Sequence, residues 1–342
     1  MDVTGGIDYA DDDEIVVREA VPGDYPAVAA FTADTWESGD YIPDAFPRWM
    51  ESDDPDTRTF VAVDTTASPP APEDVDAVDP DDVDEVADDR AVGICQAVGL
   101  SEHEGWMQAM RVDPEYRGRG LSRALNDAGF HWLYETGRRV ARNMVFSWNT
   151  GGLGASRFNG FDPGTEFRWV QPDPDPEATA RTDAAGETGA DPDATWGFWT
   201  DAGARDALDG LALDDSESWA LSELTRDRLR QAAADDRLLV VSAPDGGVGG
   251  FAFRARTSER EDDDGETTVR GEYGVAAWEG PDSCDALLAA ISRDAAAVGA
   301  DTTRVLIPES VEWVSDAALA GVDVGDEPDF VMRADLTERH WA

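Results

Sequence analysis

The segment VDPEYRGRGLSRAL, residues 112–125, restricts the possible folds of this chain more than any other stretch. It follows GWMQAMRV (105–112), which we predict to be a strand that pairs back on AVGICQAVGL (91–100) as a hairpin. After it, apolar residues recur at helical spacing along LSRALNDAGFHWLYETGRR (121–139). The order is strand, glycine-containing turn and helix, as in a mixed α/β fold.

The turn between this strand and this helix has the composition of an anion-binding site. The first N–H groups of a helix have no intrahelical partner, and they carry the positive end of the helix dipole. Gly118 and Gly120 let the main chain approach a phosphate closely. Charge-assisted hydrogen bonds can come from Arg117, Arg119 and Arg123. The turn matches neither the Walker pattern nor G-x-G-x-x-G, so a pyrophosphate site and a purely structural turn both stay open here.

The arginines of this turn stand out because the chain is strongly acidic. Its 342 residues include 74 Asp and Glu against 27 basic residues, a net charge of −47, and lysine is absent. Such a charge disfavours nucleic acids and anionic membranes as partners. The acidic residues are spread along the chain, as in EDDDGE (261–266), which resembles the halophilic archaeal proteins that work in concentrated salt. A GC-rich genome that replaces lysine by arginine is the alternative explanation.

Cysteine and histidine usage indicates neither a disulfide framework nor a metal site. We expect Cys95 and Cys284 to be small core residues. The three histidines, His103, His131 and His340, show no ligand spacing, so we expect no metal. Because no signal peptide and no long apolar span is present, we expect a cytoplasmic protein.

We predict two domains of similar element order. The first covers residues 1–171 and includes an acidic, Pro-rich stretch at 65–90, interpreted as a solvated insertion between two strands. Residues 172–193, rich in Pro, Asp, Gly and Ala, are predicted to be a linker. The second domain, 194–342, repeats the order of the first but has WEGPDSCDALL in place of the arginine–glycine turn.

The turn and its neighbours resemble a known enzyme family. MRVDPEYRGRGLS resembles motif A of the GNAT acyltransferases, V-x-P-x-x-(Q/R)-x-x-G-x-(G/A), with Arg117, Gly120 and Ser122 on signature positions. Asn149, followed by Phe161 in NGF, is similar to a second run of that family. The resemblance implies an α/β (α+β) chain of two tandem GNAT-like domains, each with a mixed, mostly antiparallel twisted sheet flanked by helices. The second domain would be degenerate, without the pyrophosphate turn.

The resemblance also implies acetyl-CoA as acyl donor, held between a splayed fourth and fifth strand. The backbone of the fourth strand would hold the pantetheine arm and acetyl carbonyl, the amides of the turn the pyrophosphate, and Asn149 the pantetheine arm. The implied cofactor-binding residues are Met110, Arg111, Val112, Arg117, Gly118, Arg119, Gly120, Leu121, Ser122, Arg123 and Asn149.

The acid and the base of the implied reaction are less evident. An amine with a pKa of about 10 must lose a proton, and a thiolate with a pKa of about 8.5 must gain one. Many relatives use a glutamate and a tyrosine, but here Met144 and Ser156 occupy those positions. Candidates are Glu104 and His103 as base, Gln108 as a water-positioning residue, and Ser156 or a water as acid. Glu104 and His103 can equally be solvated turn residues.

Trp36, Asp40 and Tyr41 lie where this fold commonly lines the acceptor site. An aspartate beside aromatic rings suits a cationic amine, although the two rings can equally be core anchors. The segment SGDYIPDAFPRWMESDDPDTRTFVAV (38–63) is similar to the histidine N-acetyltransferase-like branch of GNAT proteins.

The sequence therefore predicts an N-acetyltransferase that acts on a small amine or amino acid, possibly histidine-like, as a monomer or homodimer. The alternatives are a protein N-acetyltransferase and a non-catalytic acyl-CoA-binding sensor. A salt-adapted scaffold is a further alternative, but it leaves the motif unexplained.

Overall fold

The computed structural model describes residues 14–36, 39–181, 185–243, 246–261 and 267–338, so His340 and most of EDDDGE lie outside the described residues. The chain divides into two compact units. The first unit comprises residues 1–143, 151–162 and 333–342, and the second comprises 144–150 and 163–332.

The first unit is a mostly antiparallel sheet with helices. Its elements are β1 (Ile15–Glu19), α1 (Tyr25–Thr32), α2 (Ile42–Glu51), β2 (Thr57–Asp64), β3 (Arg90–Gly99), β4 (Glu104–Val112), α3 (Leu121–Glu135), β5 (Val140–Phe146) and α4 (Thr150–Phe158). The strand order is β1-β2-β3-β4-β5. Each pair of neighbours is antiparallel except β4 and β5, which are parallel and joined through α3.

Strand β3 shows why both faces of this sheet are covered. Its residues are buried almost without interruption, as expected for a central strand. Ile94 packs in one core with the helices α1 and α2. The neighbouring Cys95 points to the other face, where its Sγ donates to the Leu125 carbonyl of α3 at 3.4 Å. Cys95 and Cys284 are both buried core residues, as predicted, and burial raises the pKa of each thiol.

The acidic stretch at 65–90 is not simply a solvated insertion, and this prediction needs correction. Val75 and Val78 are buried against Ala29 of α1. The chain is also tied down by main-chain atoms, since the Ala87 N–H donates to the Gly23 carbonyl at 2.9 Å. Two valines among many carboxylates thus anchor the stretch, because burying them removes apolar surface from water.

The second unit repeats this plan. Its elements are β6 (Asp162–Gln171), α5 (Pro192–Asp201), α6 (Gly203–Ala207), β7 (Leu211–Leu213), β8 (Leu221–Glu223), α7 (Arg226–Ala234), β9 (Leu238–Ser242), β10 (Val248–Glu261), β11 (Thr267–Trp278), α8 (Gly280–Ala297), β12 (Thr302–Pro308), α9 (Val311–Ala320), β13 (Asp323–Val324) and β14 (Asp329–Asp335). The main sheet has the order β9-β10-β11-β12-β6, with only β11 and β12 parallel. The predicted class of fold is confirmed: mixed α/β, with mostly antiparallel sheets flanked by helices.

The limits of the units differ from the predicted domain limits. Strand β6, predicted to end the first domain, lies in the second unit except for Asp162, while residues 333–342 return to the first. There, the Leu336 N–H donates to the Arg139 carbonyl at 2.9 Å. Within the second unit the predicted linker is packed, since the Asp175 N–H donates to the Ser292 carbonyl at 3.1 Å. Among the described residues, no helix is both long and apolar enough to cross a membrane.

Candidate functional site

A β-bulge in β4 determines which side chains of this strand face each side of the sheet in the first unit. Ala109 has a left-handed backbone, with φ at +56°. Across it, the pairing with β3 shifts from Gln108 opposite Gln96 to Arg111 opposite Ile94. Because directly opposed residues project to the same face, the bulge turns Gln108 and Arg111 to one face of the sheet. That face is the one that α1 and α2 cover.

Beyond the bulge, β4 pairs with no described strand on its other side. The parallel ladder joins Glu104–Trp106 to Val140–Arg142 and stops there. In the part of the chain that the structure describes, the later residues of β4 pair with β3 but with no residue of β5. Met110–Val112 therefore line an opening along the free edge of β4, where backbone groups that do not pair with β5 can bind an extended ligand.

The arginine–glycine turn connects this edge to helix α3. Gly118 and Gly120 have φ values of +80° and +81°, a region that favours glycine, and Gly120 is the N-cap of α3. A Cβ built on either glycine meets nothing within 4 Å, so the turn is open on its outer side. The first N–H groups of α3, from Leu121 and Ser122, have no intrahelical acceptor. The turn thus fits a pyrophosphate.

Tyr116 is a support of the turn that the sequence analysis missed. Its hydroxyl donates to Asp64 at 2.8 Å, and the Arg119 guanidinium carbon lies 4.7 Å from the centroid of its ring. Burial alone would raise the pKa of Asp64, but hydrogen bonds from Thr66 and Tyr116 outweigh it and lower that pKa. Tyr116 thus orients Arg119, and the single tyrosine followed by two arginines in PEYRGR was the available signal.

The other two arginines of the turn are exposed. Arg117 reaches back to the Val112 carbonyl, at 3.4 Å from its Nε. Arg123 lies 3.7 Å from Asp127 one helical turn on, and its side chain is 62% exposed. Pairs so exposed are weak, so both guanidinium groups can turn to an anion.

Ser156 lies beside the end of β5, in a pair with Asn143. Its Oγ accepts a hydrogen bond from Asn143 Nδ2 at 3.1 Å, and both residues belong to the first unit. Asn143 Oδ1 is buried and finds no hydrogen-bond partner among the described residues. The hydroxyl proton of Ser156 is thereby left to donate elsewhere. Asn149 follows β5 in the second unit, where its N–H donates to the Phe146 carbonyl at 2.9 Å.

Glu104 and His103 lie at the opposite end of β4 from the turn. The buried Glu104 carboxylate accepts from Arg142 Nη1 at 2.6 Å and from the Ser101 hydroxyl at 3.1 Å. Its Cα lies roughly 13 Å along the strand from that of Gln108, at about 3.3 Å per residue. His103 is exposed, and its carbonyl accepts from the Arg139 N–H. The structure does not bring these two candidate bases to the opening.

Gln108 is the predicted polar residue that lies beside the bulge, on the face of β4 that α1 and α2 cover. Its Nε2 donates to Gln96 Oε1 at 2.8 Å, and Gln96 donates in turn to the Thr59 hydroxyl at 3.1 Å. This series of hydrogen bonds holds the Gln108 amide in one orientation beside the bulge, so that Gln108 can position a water there.

The Asp40 carboxylate is already paired with a cation of this chain, Arg111, so it is not a vacant site for a cationic amine. Its fully buried carboxylate accepts from Arg111 Nε at 2.7 Å, and the Arg111 guanidinium carbon lies 5.5 Å from the Trp36 ring centroid. Tyr41 is 51% exposed and meets Trp49 edge-on, so it is no core anchor. The cluster thus fixes the guanidinium of Arg111, a residue that the sequence predicted to act only through its backbone.

In the second unit, the residues beyond the parallel strand pair differ from those in the first unit. Strands β11 and β12 also pair over a short stretch, Arg270–Tyr273 with Thr302–Val305. Past it, Trp278 packs on Trp313 with ring centroids 4.9 Å apart, and its Nε1 donates to Asp316 at 3.0 Å. No arginine stands at the start of α8, which carries Asp282 in its first turn. A carboxylate at a helix N-terminus opposes a phosphate there.

The comparisons with known proteins agree with this geometry. Residues 35–161 match the model of the Acetyltransferase (GNAT) family. No curated protein sequence matches the chain. A GCN5-related N-acetyltransferase from Sphaerobacter thermophilus is 16% identical, with a TM-score of 0.56 over 95% of this chain and 96% of that one. A tandem GNAT protein from the clavulanic acid biosynthesis pathway is 12% identical, with a TM-score of 0.50 over 96% and 100%.

At these identities the solved structures show a shared fold. The family match is specific to the part of the chain that carries the bulge, the opening and the turn. It indicates an acetyltransferase domain of the GNAT type in residues 35–161.

Proposed function

We propose that the first unit takes the acetyl group of acetyl-CoA and transfers it to the amine of a small acceptor that carries a carboxylate, such as an amino acid. The observation that supports it best is the position of Arg111. Its side chain shares a face with Gln108 beside the opening, between the buried Asp40 and Trp36. The acceptor was expected to meet Asp40, but Arg111 already neutralises that carboxylate.

Acetyl-CoA fits the opening and the turn. When bound, it supplies the acetyl thioester. The backbone of Met110–Val112 pairs with no described residue of β5, so an extended chain can bind along this edge of β4 if it displaces Arg111 and Arg117 from the Met110 and Val112 carbonyls or meets the N–H groups there. The open, left-handed glycines and the arginines of the turn provide room and charge for a pyrophosphate. Asn149 stays a proposed contact of the pantetheine arm.

Arg111 can recognise the acceptor carboxylate. Its Nε is committed to Asp40 and its Nη1 to the Met110 carbonyl, at 2.7 and 3.1 Å. Within the described residues, Nη2 has no recorded acceptor. Because Asp40 and Trp36 hold the guanidinium in place, a carboxylate can bind it without ordering a flexible side chain, which lowers the cost of binding.

Proton transfer in this proposal uses Gln108 and Ser156. The acceptor amine loses a proton as its nitrogen bonds to the acetyl carbon and the carbon–sulfur bond breaks. Gln108, held by Gln96, positions the water that takes this proton. Ser156, whose oxygen accepts from Asn143, can donate its hydroxyl proton to the leaving thiolate.

The acidic composition supports an enzyme adapted to concentrated salt, and we expect it to act in the cytoplasm. The net charge of −47 needs screening, so the assay belongs in molar KCl. The similarity of residues 38–63 to the histidine N-acetyltransferase-like branch makes histidine the first acceptor to try.

The experiment measures release of the CoA thiol from acetyl-CoA with matched pairs of acceptors, an amino acid and its decarboxylated amine, beginning with histidine and histamine. We expect turnover with the amino acid and a KM for histamine about tenfold higher or more, as for the loss of a charge-assisted hydrogen bond. Arg111→Gln is expected to remove this difference, and the control Arg58→Gln, at a partly exposed arginine of β2, to keep it.

Other outcomes identify the rival functions. Turnover with peptides but with no free amino acid favours a protein N-acetyltransferase. Saturable binding of acetyl-CoA without thiol release from any acceptor favours a sensor, a role for which Glu104, held in its ion pair with Arg142, is the structural argument. Equal KM values for histidine and histamine contradict the carboxylate assignment.

A further inference from the structure

The second unit contains a buried arginine with unsatisfied hydrogen-bond donors. Arg304 lies on β12, with its side chain 5% exposed. Its Nη2 donates to Glu272 at 2.9 Å, but Nε and Nη1 are buried and no described residue accepts from them. A buried donor without a partner is costly, so such groups in a folded protein call for an explanation.

Two tryptophans enclose this guanidinium. Its central carbon lies 4.6 Å from the ring centroid of Trp169 and 4.0 Å from that of Trp219. The two rings are perpendicular, with centroids 6.3 Å apart, so they form a corner around the cation. We call Trp169, Trp219 and Arg304 the tryptophan corner.

Trp219 covers the corner from a strained position. Its φ is +67°, a left-handed backbone that is rare for so large a side chain, and it is 39% exposed. The turn that carries it is pinned by Arg256, whose Nη1 donates to the Asp214 carbonyl at 2.8 Å. Strain of this kind is concentrated at ligand clamps and switch regions, because the surrounding structure must hold it in place.

The arginines beneath the corner keep buried donors that their carboxylate does not satisfy. Arg256 and Arg304 share the single carboxylate of Glu272, at 2.5 and 2.9 Å. Arg256 Nη2 is a further buried donor with no acceptor among the described residues. The nearby Asp329 carboxylate accepts from Trp169 Nε1 at 3.0 Å. Unsatisfied guanidinium donors of this kind suit an anionic ligand, whose oxygens can accept from them.

The corner continues into exposed aromatic surface. Phe146 meets Trp219 edge-on at 6.2 Å and stacks on Trp148 at 5.3 Å, and Trp148 is half exposed. All these residues belong to the second unit. A ligand with a flat apolar body can therefore lie on rings while its charge meets Arg304.

We propose that the tryptophan corner binds a small organic carboxylate with a flat apolar body, and that Trp219 covers the bound ligand. The carboxylate accepts from the unsatisfied nitrogens of Arg304, and the body of the ligand packs on Trp169 and Trp219. This site lies in the second unit and is independent of acetyl transfer.

The test uses benzoate as the probe and benzamide as its neutral counterpart of the same shape. Both are titrated into the full chain at a fixed molar KCl concentration, and binding is followed by calorimetry and tryptophan fluorescence. We expect saturable binding of benzoate and binding of benzamide weaker by about tenfold or more, since only the anion satisfies the guanidinium. Equal binding of the two, or no saturable binding of either, overturns the proposal.

Two variants locate the site. Arg304→Lys is expected to weaken benzoate binding by about tenfold or more, because the ammonium does not reproduce the guanidinium geometry. Trp219→Phe keeps a ring and should keep the affinity, but it should remove most of the benzoate-induced fluorescence change, whereas the buried control Trp199→Phe should retain it. Trp219 is at the surface, so this variant stays informative if Arg304→Lys does not fold. An unchanged fluorescence response in Trp219→Phe places benzoate elsewhere and overturns the proposal.

Discussion

At the scale of single residues, the left-handed glycines of the turn resist substitution because of their backbone conformation rather than for lack of room. Gly120→Ala places a side chain at φ +81°, which costs roughly 1–2 kcal/mol, and moves amides that we assign to the pyrophosphate. We expect a loss of stability of that size and an acetyl-CoA Kd raised by about tenfold or more. Thermal unfolding and calorimetric titration measure the two effects.

Gly137→Ala is the matched control for this substitution. Gly137 also has a positive φ, +104°, but it follows the far end of α3 rather than the turn. The Gly137→Ala variant should lose about as much stability as Gly120→Ala but keep its affinity for acetyl-CoA. If both variants bind acetyl-CoA equally well, the turn is only structural.

The pair of Asp64 and Tyr116 makes a prediction about pH. The folded-state pKa of Asp64 is lowered, so its contribution to stability is present above the unfolded value of about 3.9 and is lost as the pH falls through the folded value. Tyr116→Phe removes one of its hydrogen bonds and should cost about 1.5–3 kcal/mol at pH 7. The difference from the unchanged protein should shrink below about pH 4. Urea unfolding in molar KCl at several pH values measures it; a difference that is constant with pH contradicts the assignment.

The roles of residues were predictable from the sequence where the residues involved are close neighbours in the chain. The glycines and arginines of PEYRGRG lie in one turn, so their proximity followed from the chain itself. Asp40 and Arg111 are far apart in sequence, and only the fold brings them to 2.7 Å. Glu104 was a candidate base because of its place in the predicted hairpin turn. Its ion pair with Arg142 depends on strand pairing that the local sequence does not reveal.

At the scale of elements, the acidic stretch at 65–90 is expected to contribute to stability. Val75→Ala and Val78→Ala should each reduce the free energy of unfolding by about 1–2 kcal/mol, since both valines are buried against α1. Glu85→Ala, an exposed change in the same stretch, should have little effect. Denaturant unfolding compares the three variants. Equal stability of all three would mean that the stretch is a solvated insertion after all.

The regular elements around the motif were predictable because their hydrophobic periodicity is strong. The bulge at Ala109 was not, because alanine rarely adopts a left-handed backbone and only the register with β3 requires it there. The helix α5 was also missed: its first turn, at Pro192, lies inside the stretch that Pro, Asp and Gly made look like a linker. Low local hydrophobicity is a weak guide in a chain that is acidic throughout.

At the scale of the whole molecule, the imbalance of 74 acidic against 27 basic residues predicts a strong dependence of stability on salt. The free energy of unfolding should rise most between about 0.1 and 1 M KCl, where the screening length falls from about 10 to about 3 Å. The midpoint of thermal unfolding across a KCl series measures this, with sucrose at equal osmotic strength as the uncharged control. A response to sucrose as large as that to KCl contradicts an electrostatic origin.

The return of residues 333–342 to the first unit has a consequence for biosynthesis. A ribosome makes Arg139 early, yet Leu336, whose N–H donates to the Arg139 carbonyl, is made only after the residues of the second unit. The nascent first unit must therefore wait, without this segment, while residues 163–332 are translated. A stop codon before Leu336 would release a chain whose first unit lacks this hydrogen bond.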